Sequence, residues 1–331
     1  MEPQIEQRFV ESTPEPTSGA RRLAGPLTLL LIFFASGTAT MAYLSDASAS
    51  AQTSQAAAAA QAAIPDPFAG IMLQGESAYV LDLATGHVLF SQNPDVQLPL
   101  ASLTKVPMAL AVSGVLPPDA IITIPYDTAP KGSAERLAAG QKWSVQDVVN
   151  FTLIASSNGG ADILAAAADD DIRAKYPQAP AGSATLWRMN DIARNLGLTN
   201  TYFLNDNGLD ISTTQAGAYG SARDVAKLFA YAATSSGQIF AGTTRGGLLL
   251  TSVSGAQTSA FNTNLALGSI PGLVMGKTGF TDLAGGNLAI VFDVGPAHPV
   301  VAVILHSTED GRFDDMKKLV AATVAAITTG R

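Results

Sequence analysis

The sequence predicts an α+β domain in which strands from the beginning and the end of the globular part form one antiparallel sheet, with a helical subdomain between them. Short segments rich in β-branched and aromatic residues occur at both ends, whereas apolar patterns with helical spacing fill the middle. Strands separated by a helical block can share a core only if they meet in one sheet. With 331 residues, 47% of them hydrophobic, the chain has enough apolar material for such a core.

The composition excludes several classes of function. A net charge of -8 leaves no broad cationic surface, so nucleic acid is not an expected partner. The chain has no cysteine, which excludes disulfides, thiolate nucleophiles and thiolate zinc sites. His87, His298 and His306 are scattered without metal-ligand spacing, so a metal site built on imidazoles is not expected. A Ser-His-Asp triad would require folding to bring one of these histidines into the site.

The N-terminal part predicts a membrane segment. Residues 1–22 are polar and end in Arg21 and Arg22, and residues 23–44 carry no charge. About twenty residues at a rise of ~1.5 Å cross a hydrocarbon layer of ~30 Å, and the arginine pair favours a cytoplasmic N-terminus. We therefore expect a cytoplasmic tail and a single transmembrane helix. A cleaved signal, with small residues near Ala49 as the cleavage site, and a buried core helix are the alternatives.

The remaining chain divides into a spacer and a domain. Residues 45–67 are rich in alanine, serine and glutamine and predict a flexible linker, and residues 68–331 predict the globular domain. In this domain we expect a β-hairpin turning at Gly86, a helix capped by Ser221, and an insertion at 169–185 near the cleft. The expected strands are 77–83, 87–91, 272–278, 287–294 and 300–306, and the expected helices are 100–112, 145–168, 186–196, 222–233 and 312–327.

Ser102 and Lys105 are the first pair of residues able to carry chemistry. Their spacing at the start of a helix places the hydroxyl and the amine on one face. A lysine kept neutral by burial or by a nearby cation can accept the proton of a serine nucleophile. This spacing also occurs by chance, and an N-cap serine with a solvated lysine is the alternative.

Two further motifs follow in the sequence. Ser156, Ser157 and Asn158 interrupt a buried helical pattern, which predicts either polar side chains facing a cleft or an ordinary turn between helices. Lys277, Thr278 and Gly279 end a predicted strand, where the glycine would let a ligand approach the strand edge. The order Ser-x-x-Lys, Ser-x-Asn, Lys-Thr-Gly is more specific than any one motif.

Taken together, these motifs resemble the penicillin-binding protein and serine β-lactamase superfamily. The sequence around the three motifs narrows the resemblance to D-alanyl-D-alanine carboxypeptidases of the S11 peptidase type, across about residues 77–327. The resemblance implies a β-lactamase/transpeptidase-like fold, a D-Ala-D-Ala carboxypeptidase that acts on peptidoglycan stem peptides, β-lactams as covalent inhibitors, and no cofactor. The segments that carry the narrower resemblance include Asn207 to Asp210, Ser221 to Asp224 and Gly276 to Gly285.

The resemblance also implies a role for each motif residue. Ser102 would attack the carbonyl of the penultimate D-alanine and Lys105 would accept its proton. Ser156 would relay a proton to the leaving amine, and Asn158 would hold the substrate backbone. Lys277 and Thr278 would bind the terminal carboxylate of the substrate, with Gly279 beside them in the same substrate-binding motif. The backbone N–H groups of Ser102 and Phe280 would form the oxyanion hole.

The chain departs from the family pattern at Gly159, where many relatives carry an acid, and at Gly276, where a bulkier residue is common. These differences concern substrate preference more than acyl transfer. A class A β-lactamase needs a glutamate to activate water, and no glutamate lies between Asn158 and Lys277. A DD-endopeptidase or transpeptidase uses the same machinery and remains an alternative, as does a catalytically silent wall-binding module.

Overall fold

The computed structural model describes residues 65–126 and 137–330, and Asp66–Arg331 forms one compact unit. The predicted tail, the transmembrane segment and nearly all of the linker lie outside the described residues. In the described ranges, no helix combines the length and the apolar character needed to cross a bilayer.

The strands are short in the middle of the chain and long at its end. They are β1 (Ser77–Asp82), β2 (Val88–Gln92), β3 (Leu98–Pro99), β4 (Ile121–Thr123), β5 (Lys142–Ser144), β6 (Tyr202–Phe203), β7 (Ala218–Gly220), β8 (Gly247–Thr251), β9 (Gln257–Phe261), β10 (Leu273–Thr281), β11 (Gly285–Asp293) and β12 (Pro299–Ser307). The helices are α1 (Lys105–Ser113), α2 (Val145–Ile154), α3 (Asn158–Lys175), α4 (Ala184–Asn195), α5 (Ala222–Phe240) and α6 (Gly311–Thr328).

The main sheet joins the two ends of the domain, as the sequence predicts. Its strand order is β10-β11-β12-β1-β2, and every neighbouring pair is antiparallel. The β1 and β12 strands pair with Ser77 opposite Leu305 and Asp82 opposite Val300. The β1–β2 hairpin turns at Gly86, whose φ of 75° is one that glycine adopts without strain. The long β10 strand forms one edge of this sheet and carries Lys277.

The two faces of the sheet bury different partners because side chains alternate along each strand. Ala78, Val80 and Ile304 face one cluster, which also contains Phe313 and Met316 of α6. Tyr79, Val303 and other residues of the opposite parity belong to the larger cluster formed with α1 to α5. The nucleophile region lies on this second side, since α1 is buried along Lys105–Val112.

Buried Asp315 ties the beginning of the domain to its last helix. Its carboxylate accepts hydrogen bonds from the backbone N–H groups of Gln74 and Gly75, at 2.8–3.1 Å, and from the Ser307 hydroxyl at 3.0 Å. A buried carboxylate with this many donors is satisfied, so it fixes the N-terminal segment against the sheet.

Most expected elements are present, but one long helix and the insertion differ, and the short strands β3 to β9 were not predicted. The helix expected at 145–168 is two helices, α2 and α3, separated at Ala155–Ser157. The segment expected as an insertion at 169–185 begins as the last two turns of α3, which end at Lys175, and then returns to α4. The β8–β9 hairpin was not predicted, because its apolar residues do not alternate cleanly. Ser221 caps α5 as expected, accepting a hydrogen bond from the N–H of Asp224.

Candidate active site

A 3-10 turn at Ala101–Thr104 carries Ser102 and leads directly into α1. Both ends of the turn are buried, and Ala101 has a positive φ of 48°, which is rare for a residue with a side chain. This backbone leaves Ser102 partly exposed while Lys105 points inward from the first position of α1. The Lys105 Nζ lies 2.8 Å from the Ser102 Oγ, so the two groups can exchange a proton.

Lys105 is completely buried and has two further contacts. Its Nζ donates to the Asn158 Oδ1 at 2.7 Å and to the backbone carbonyl oxygen of Asn207 at 2.5 Å. Burial lowers the pKa of Lys105 to about 7, and the negative charge of Asp162 opposes this shift. A substantial fraction of this amine is therefore neutral near pH 7.

The three contacts fit either protonation state of the amine, because Ser102, Asn158 and the Asn207 carbonyl can all accept a hydrogen bond. A neutral lysine has two N–H donors and one lone pair, and the oxygens of Asn158 and Asn207 can only accept. When both N–H groups are used by these two oxygens, the lone pair is left for the hydroxyl of Ser102. In its neutral form, Lys105 can therefore accept the proton of Ser102 across the 2.8 Å contact.

The Ser-x-Asn motif forms the break between α2 and α3. Ser156 has a φ of 56°, in the left-handed region, and Ser157 caps α3 by accepting a hydrogen bond from the N–H of Gly160 at 3.0 Å. Asn158 is the first residue of α3 and reaches Lys105 from there. A Cβ on Gly160 would lie 2.3 Å from the Thr152 Oγ1, so the break needs glycine at this position.

Lys277 lies on β10 opposite the same break. Its buried Nζ donates to the Ser156 Oγ and to the carbonyl oxygen of Thr278, both at 2.8 Å. Burial holds the pKa of Lys277 well below its usual value of 10.5, and the positive charges of Lys105 and Arg312 lower it further. The family resemblance implies that the positive charge of Lys277 helps to keep Lys105 neutral, and in the structure the main cause of the pKa shift at Lys105 is burial.

The last residues of the motif line the edge of β10 beside the nucleophile. The Thr278 Oγ1 lies 2.6 Å from the Thr263 Oγ1, and Phe280 is 44% exposed. A Cβ on Gly279 would come within 2.8 Å of the carbonyl oxygen of Leu100. Glycine is therefore required here by the backbone that precedes Ser102, in addition to any ligand that lies along the strand.

All eight predicted site residues occupy one region, linked by two sets of contacts. One set joins Ser102, Lys105 and Asn158, and the other joins Ser156 and Lys277. Thr278, Gly279 and Phe280 continue from Lys277 along β10. Three remote segments of the chain thus meet around two serine hydroxyls and two buried amines.

Asn207, Asp162 and Arg312 belong to the site but were not predicted from the sequence. Asn207 contributes only its backbone carbonyl oxygen to Lys105, and its side-chain Nδ2 donates to the Asp162 Oδ1 at 2.7 Å. Arg312 of α6 is buried and donates to the carbonyl oxygen of Gly279 at 2.7 Å. A Cβ on Gly208 would lie 2.0 Å from the Ala101 oxygen, so the loop that carries Asn207 needs glycine next to the turn of Ser102. In residues 65–126 and 137–330, no group of three or more His, Cys, Asp or Glu is arranged to hold a metal.

Comparison with known proteins decides the family. Residues 59–309 match the family described as D-alanyl-D-alanine carboxypeptidase, peptidase family S11. The chain belongs to this family. The domain also has the fold of penicillin-binding proteins. Its structure aligns with a penicillin-binding protein of Listeria monocytogenes in a cefotaxime-bound form, with a TM-score of 0.64 and 26% identity, over 76% of this chain and 98% of the other.

Two curated proteins named D-alanyl-D-alanine endopeptidase are similar in sequence. The chain is 34% identical over 178 residues to the D-alanyl-D-alanine endopeptidase of Pseudomonas aeruginosa, which covers 52% of this chain and 53% of that protein. It is 31% identical over 155 residues to the D-alanyl-D-alanine endopeptidase of Escherichia coli, covering 46% of this chain and 45% of that protein. The chain therefore spans about half the length of these two relatives.

Proposed function

We propose that this S11 family member is a serine-type D-Ala-D-Ala carboxypeptidase that removes the terminal D-alanine from peptidoglycan stem peptides through an acyl-enzyme. The observation that carries the proposal is the contact of 2.8 Å between the Ser102 Oγ and a buried amine whose pKa is about 7. A base with a pKa near the working pH is well suited to accept a proton during attack.

The acylation step uses the groups around this contact. The Ser102 Oγ bonds to the carbonyl carbon of the penultimate D-alanine while its proton moves to the Lys105 Nζ. The backbone N–H groups of Ser102 and Phe280 stabilise the oxyanion that forms. The C–N bond then breaks, and Ser156 gives its proton to the departing amine of D-alanine while it takes up the proton that Lys105 accepted from Ser102. The contact between Ser156 and Lys277 supports this relay.

Binding and deacylation use the remaining residues. Asn158 holds the peptide backbone, and Lys277 and Thr278 bind the terminal carboxylate, with Gly279 leaving room beside the strand. Water then attacks the ester carbonyl and releases the shortened stem peptide from Ser102. A β-lactam carries a comparable carboxylate and a reactive amide, and we propose that it acylates Ser102 in the same way. The likeness to the cefotaxime-bound Listeria protein supports this step.

A DD-endopeptidase is the second candidate, and its acyl chemistry is identical. It differs only in the amine that leaves, which belongs to a neighbouring stem peptide. The two relatives that are 34% and 31% identical carry the name D-alanyl-D-alanine endopeptidase, and this favours testing crosslinked substrate directly.

We also propose that residues 23–44 anchor the chain in the cell membrane as a single span, that residues 45–67 form the linker, and that the domain from residue 68 is extracytoplasmic. The uncharged run and the preceding arginine pair support this arrangement. Cleavage after the run would instead give a secreted domain.

One experiment separates the enzymatic candidates. The protein is incubated with a pentapeptide ending in D-Ala-D-Ala and, separately, with a crosslinked muropeptide, and the products are identified by mass. A carboxypeptidase releases free D-alanine from the pentapeptide, whereas an endopeptidase yields two monomers from the dimer. Ser102→Ala should abolish either activity. Equal turnover by wild type and Ser102→Ala would contradict the acyl-enzyme proposal.

A further inference from the structure

One acidic residue beside the site has no role in the chemistry described above. Asp162 lies one turn after Asn158 on α3, so the two side chains share a helix face. Its Oδ1 accepts the 2.7 Å hydrogen bond from the Nδ2 of Asn207. The backbone oxygen of this same asparagine accepts the 2.5 Å hydrogen bond from the Lys105 Nζ. A single residue therefore separates the carboxylate from the amine.

We propose that Asp162 is a positioning residue for acylation, which acts through Asn207 on Lys105. This inference rests on the proposed acyl-enzyme function. Asp162 holds the Asn207 loop against α3, and the loop places one of the two pure acceptors that orient the Lys105 amine. If the Asn207 oxygen moved away, one N–H of Lys105 would lose its partner and the lone pair would no longer be directed at Ser102.

The charge of Asp162 adds a second effect on the same amine. Burial opposes the protonated form of Lys105, and Asp162 of α3 favours it. Lys277 of β10 interacts with Lys105 and with Arg312 of α6, and both of these cations lower the pKa of Lys277. Burial raises the pKa of Asp162, and the hydrogen bond from Asn207 and the charge of Lys105 oppose this rise.

Asp206 is the other acid next to Asp162. The two line a cavity of about 280 Å³ together with Asp169, and burial raises the pKa of Asp206 to about 6. Asp169 caps the start of α4 by accepting hydrogen bonds from the N–H groups of Gly182 and Ala184. Of these three acids, Asp162 is the one whose carboxylate accepts a hydrogen bond from the side chain of Asn207, which in turn contacts Lys105.

The test follows the rate of acylation of the full chain by a fluorescent penicillin from pH 5 to pH 9. In wild type, the rate rises with pH as Lys105 loses its proton. Asp162→Asn removes the negative charge that favours protonated Lys105, so the acidic limb should move to lower pH by about half a unit. Asp162→Ala also removes the acceptor for Asn207, so its plateau rate should fall further than that of Asp162→Asn, by about tenfold relative to wild type.

Two other variants complete the test. Asn207→Ala keeps the charge of Asp162 but loses the side-chain link, so its plateau should fall while its acidic limb moves less than that of Asp162→Asn. Asp171→Asn makes the same charge change at an exposed position of α3 and should match wild type. Melting temperatures establish that each variant is folded. If an Asp162 variant does not fold, the plateau rate of acylation of Asn207→Ala tests the proposal in its place.

The outcomes separate this inference from the function on which it rests. An acidic limb that stays in place in Asp162→Asn, or a plateau that stays unchanged in Asn207→Ala, would overturn the role of Asp162 while acylation of wild type still stands. Absence of labelling in wild type itself, with no difference from Ser102→Ala, would instead overturn the proposed function.

Discussion

At the scale of the residue, the chemistry depends on keeping one lysine neutral inside the protein. The completely buried Lys105 has three polar neighbours, and in its neutral form two N–H groups can face Asn158 and Asn207 while the lone pair faces Ser102. An arginine cannot replace it, because a guanidinium does not release its proton near neutral pH and is too wide for the same contacts.

Lys105→Arg should therefore lower the rate of acylation by a fluorescent penicillin at least about 1000-fold, which lies within the range for loss of a general base. Lys142→Arg, at an exposed position of β5, serves as the matched control and should be labelled like wild type. The assignment of the base would be wrong if Lys105→Arg were labelled at an appreciable rate while retaining the wild-type melting temperature.

The same burial makes stability depend on pH. The pKa of Lys105 falls from 10.5 to about 7 on folding, so the unfolded chain binds more protons between these values. The free energy of unfolding then rises with pH across that window, and the penalty is largest below pH 7. Relative to Lys105→Met, the free energy of unfolding of wild type should increase by about 2 kcal/mol from pH 7 to pH 9.

Urea unfolding at the two pH values measures this difference. Lys142→Met changes an exposed lysine and should follow wild type, since its amine stays in water. Lys277 remains in every variant, so its contribution to the slope is largely shared. Parallel pH dependences for wild type and Lys105→Met would mean that the buried amine keeps its proton on folding.

Lys277 should control the opposite limb of the pH profile. Burial and the neighbouring cations hold its pKa well below the usual value, so it loses its proton at lower pH than an exposed lysine. A neutral Lys277 binds a carboxylate weakly, and the rate of acylation should fall as the pH rises through this pKa. Lys277→Ala should lower acylation by about 100-fold and abolish this basic limb. If the basic limb persisted unchanged in Lys277→Ala, it would arise from the titration of a group other than Lys277.

The predicted site residues were accessible from the sequence because each motif combines unusual residue types at fixed spacing. Asn207 and Arg312 were not accessible for physical reasons. Asn207 acts on Lys105 through its backbone oxygen, which any residue type possesses, and Arg312 resembles the other charged residues of an amphipathic helix. Only the folded chain shows that this arginine is buried under Gly279.

At the scale of the element, α2 and α3 are separated by a break where the sequence predicted one continuous helix. Apolar spacing continues from residue 145 to residue 168, and the pattern carries no proline. The break comes from Ser156, whose left-handed backbone ends α2, and from Ser157, which caps the next helix. The strained backbone turns the Ser156 hydroxyl toward Lys277. Propensity alone does not predict a left-handed serine, since tertiary contacts hold it there.

Gly160→Ala should disturb this break. The added Cβ would meet the Thr152 Oγ1 at 2.3 Å, so α2 and α3 would have to move apart. We expect a loss of about 2 kcal/mol in the free energy of unfolding and a slower acylation, because the shift moves Ser156 and Asn158. Gly237→Ala on α5, where a Cβ meets nothing within 4 Å, is the control. Equal free energies of unfolding for the two variants would show that the break accommodates an added methyl group.

At the scale of the whole molecule, the sheet explains how remote motifs meet. The β1 strand joins β12, which places the chain end beside its beginning, and β10 then reaches the edge of the sheet next to the turn that carries Ser102. Strands at both ends of the domain predicted that the first and last segments share one sheet, and the pairing of β1 with β12 confirms this. The small β8–β9 hairpin was missed, since Leu249 and Phe261 are exposed apolar residues that blur its pattern.

The proposed membrane anchor is the prediction that belongs to the full chain. In a bacterial host, the full-length protein should sediment with membranes and remain there after alkaline carbonate washing. A chain that begins at Asp66 should be soluble and still be labelled by penicillin, because Asp66–Arg331 forms a compact unit of its own. Leu30→Arg places a charge in the middle of the uncharged run, at a cost of about 3 kcal/mol for insertion, and should weaken retention. Leu249→Arg, an exposed position in the domain, controls for added charge.

The mass of the protein recovered from membranes distinguishes an anchor from a signal. An uncleaved anchor keeps all residues from Met1, whereas cleavage near Ala49 yields a shorter chain in the extracytoplasmic fraction. A full-length protein found in the cytosol would contradict both arrangements. It would also separate the enzyme from its proposed substrate, because crosslinked peptidoglycan lies outside the membrane and the acyl chemistry of Ser102 would have no wall to act on.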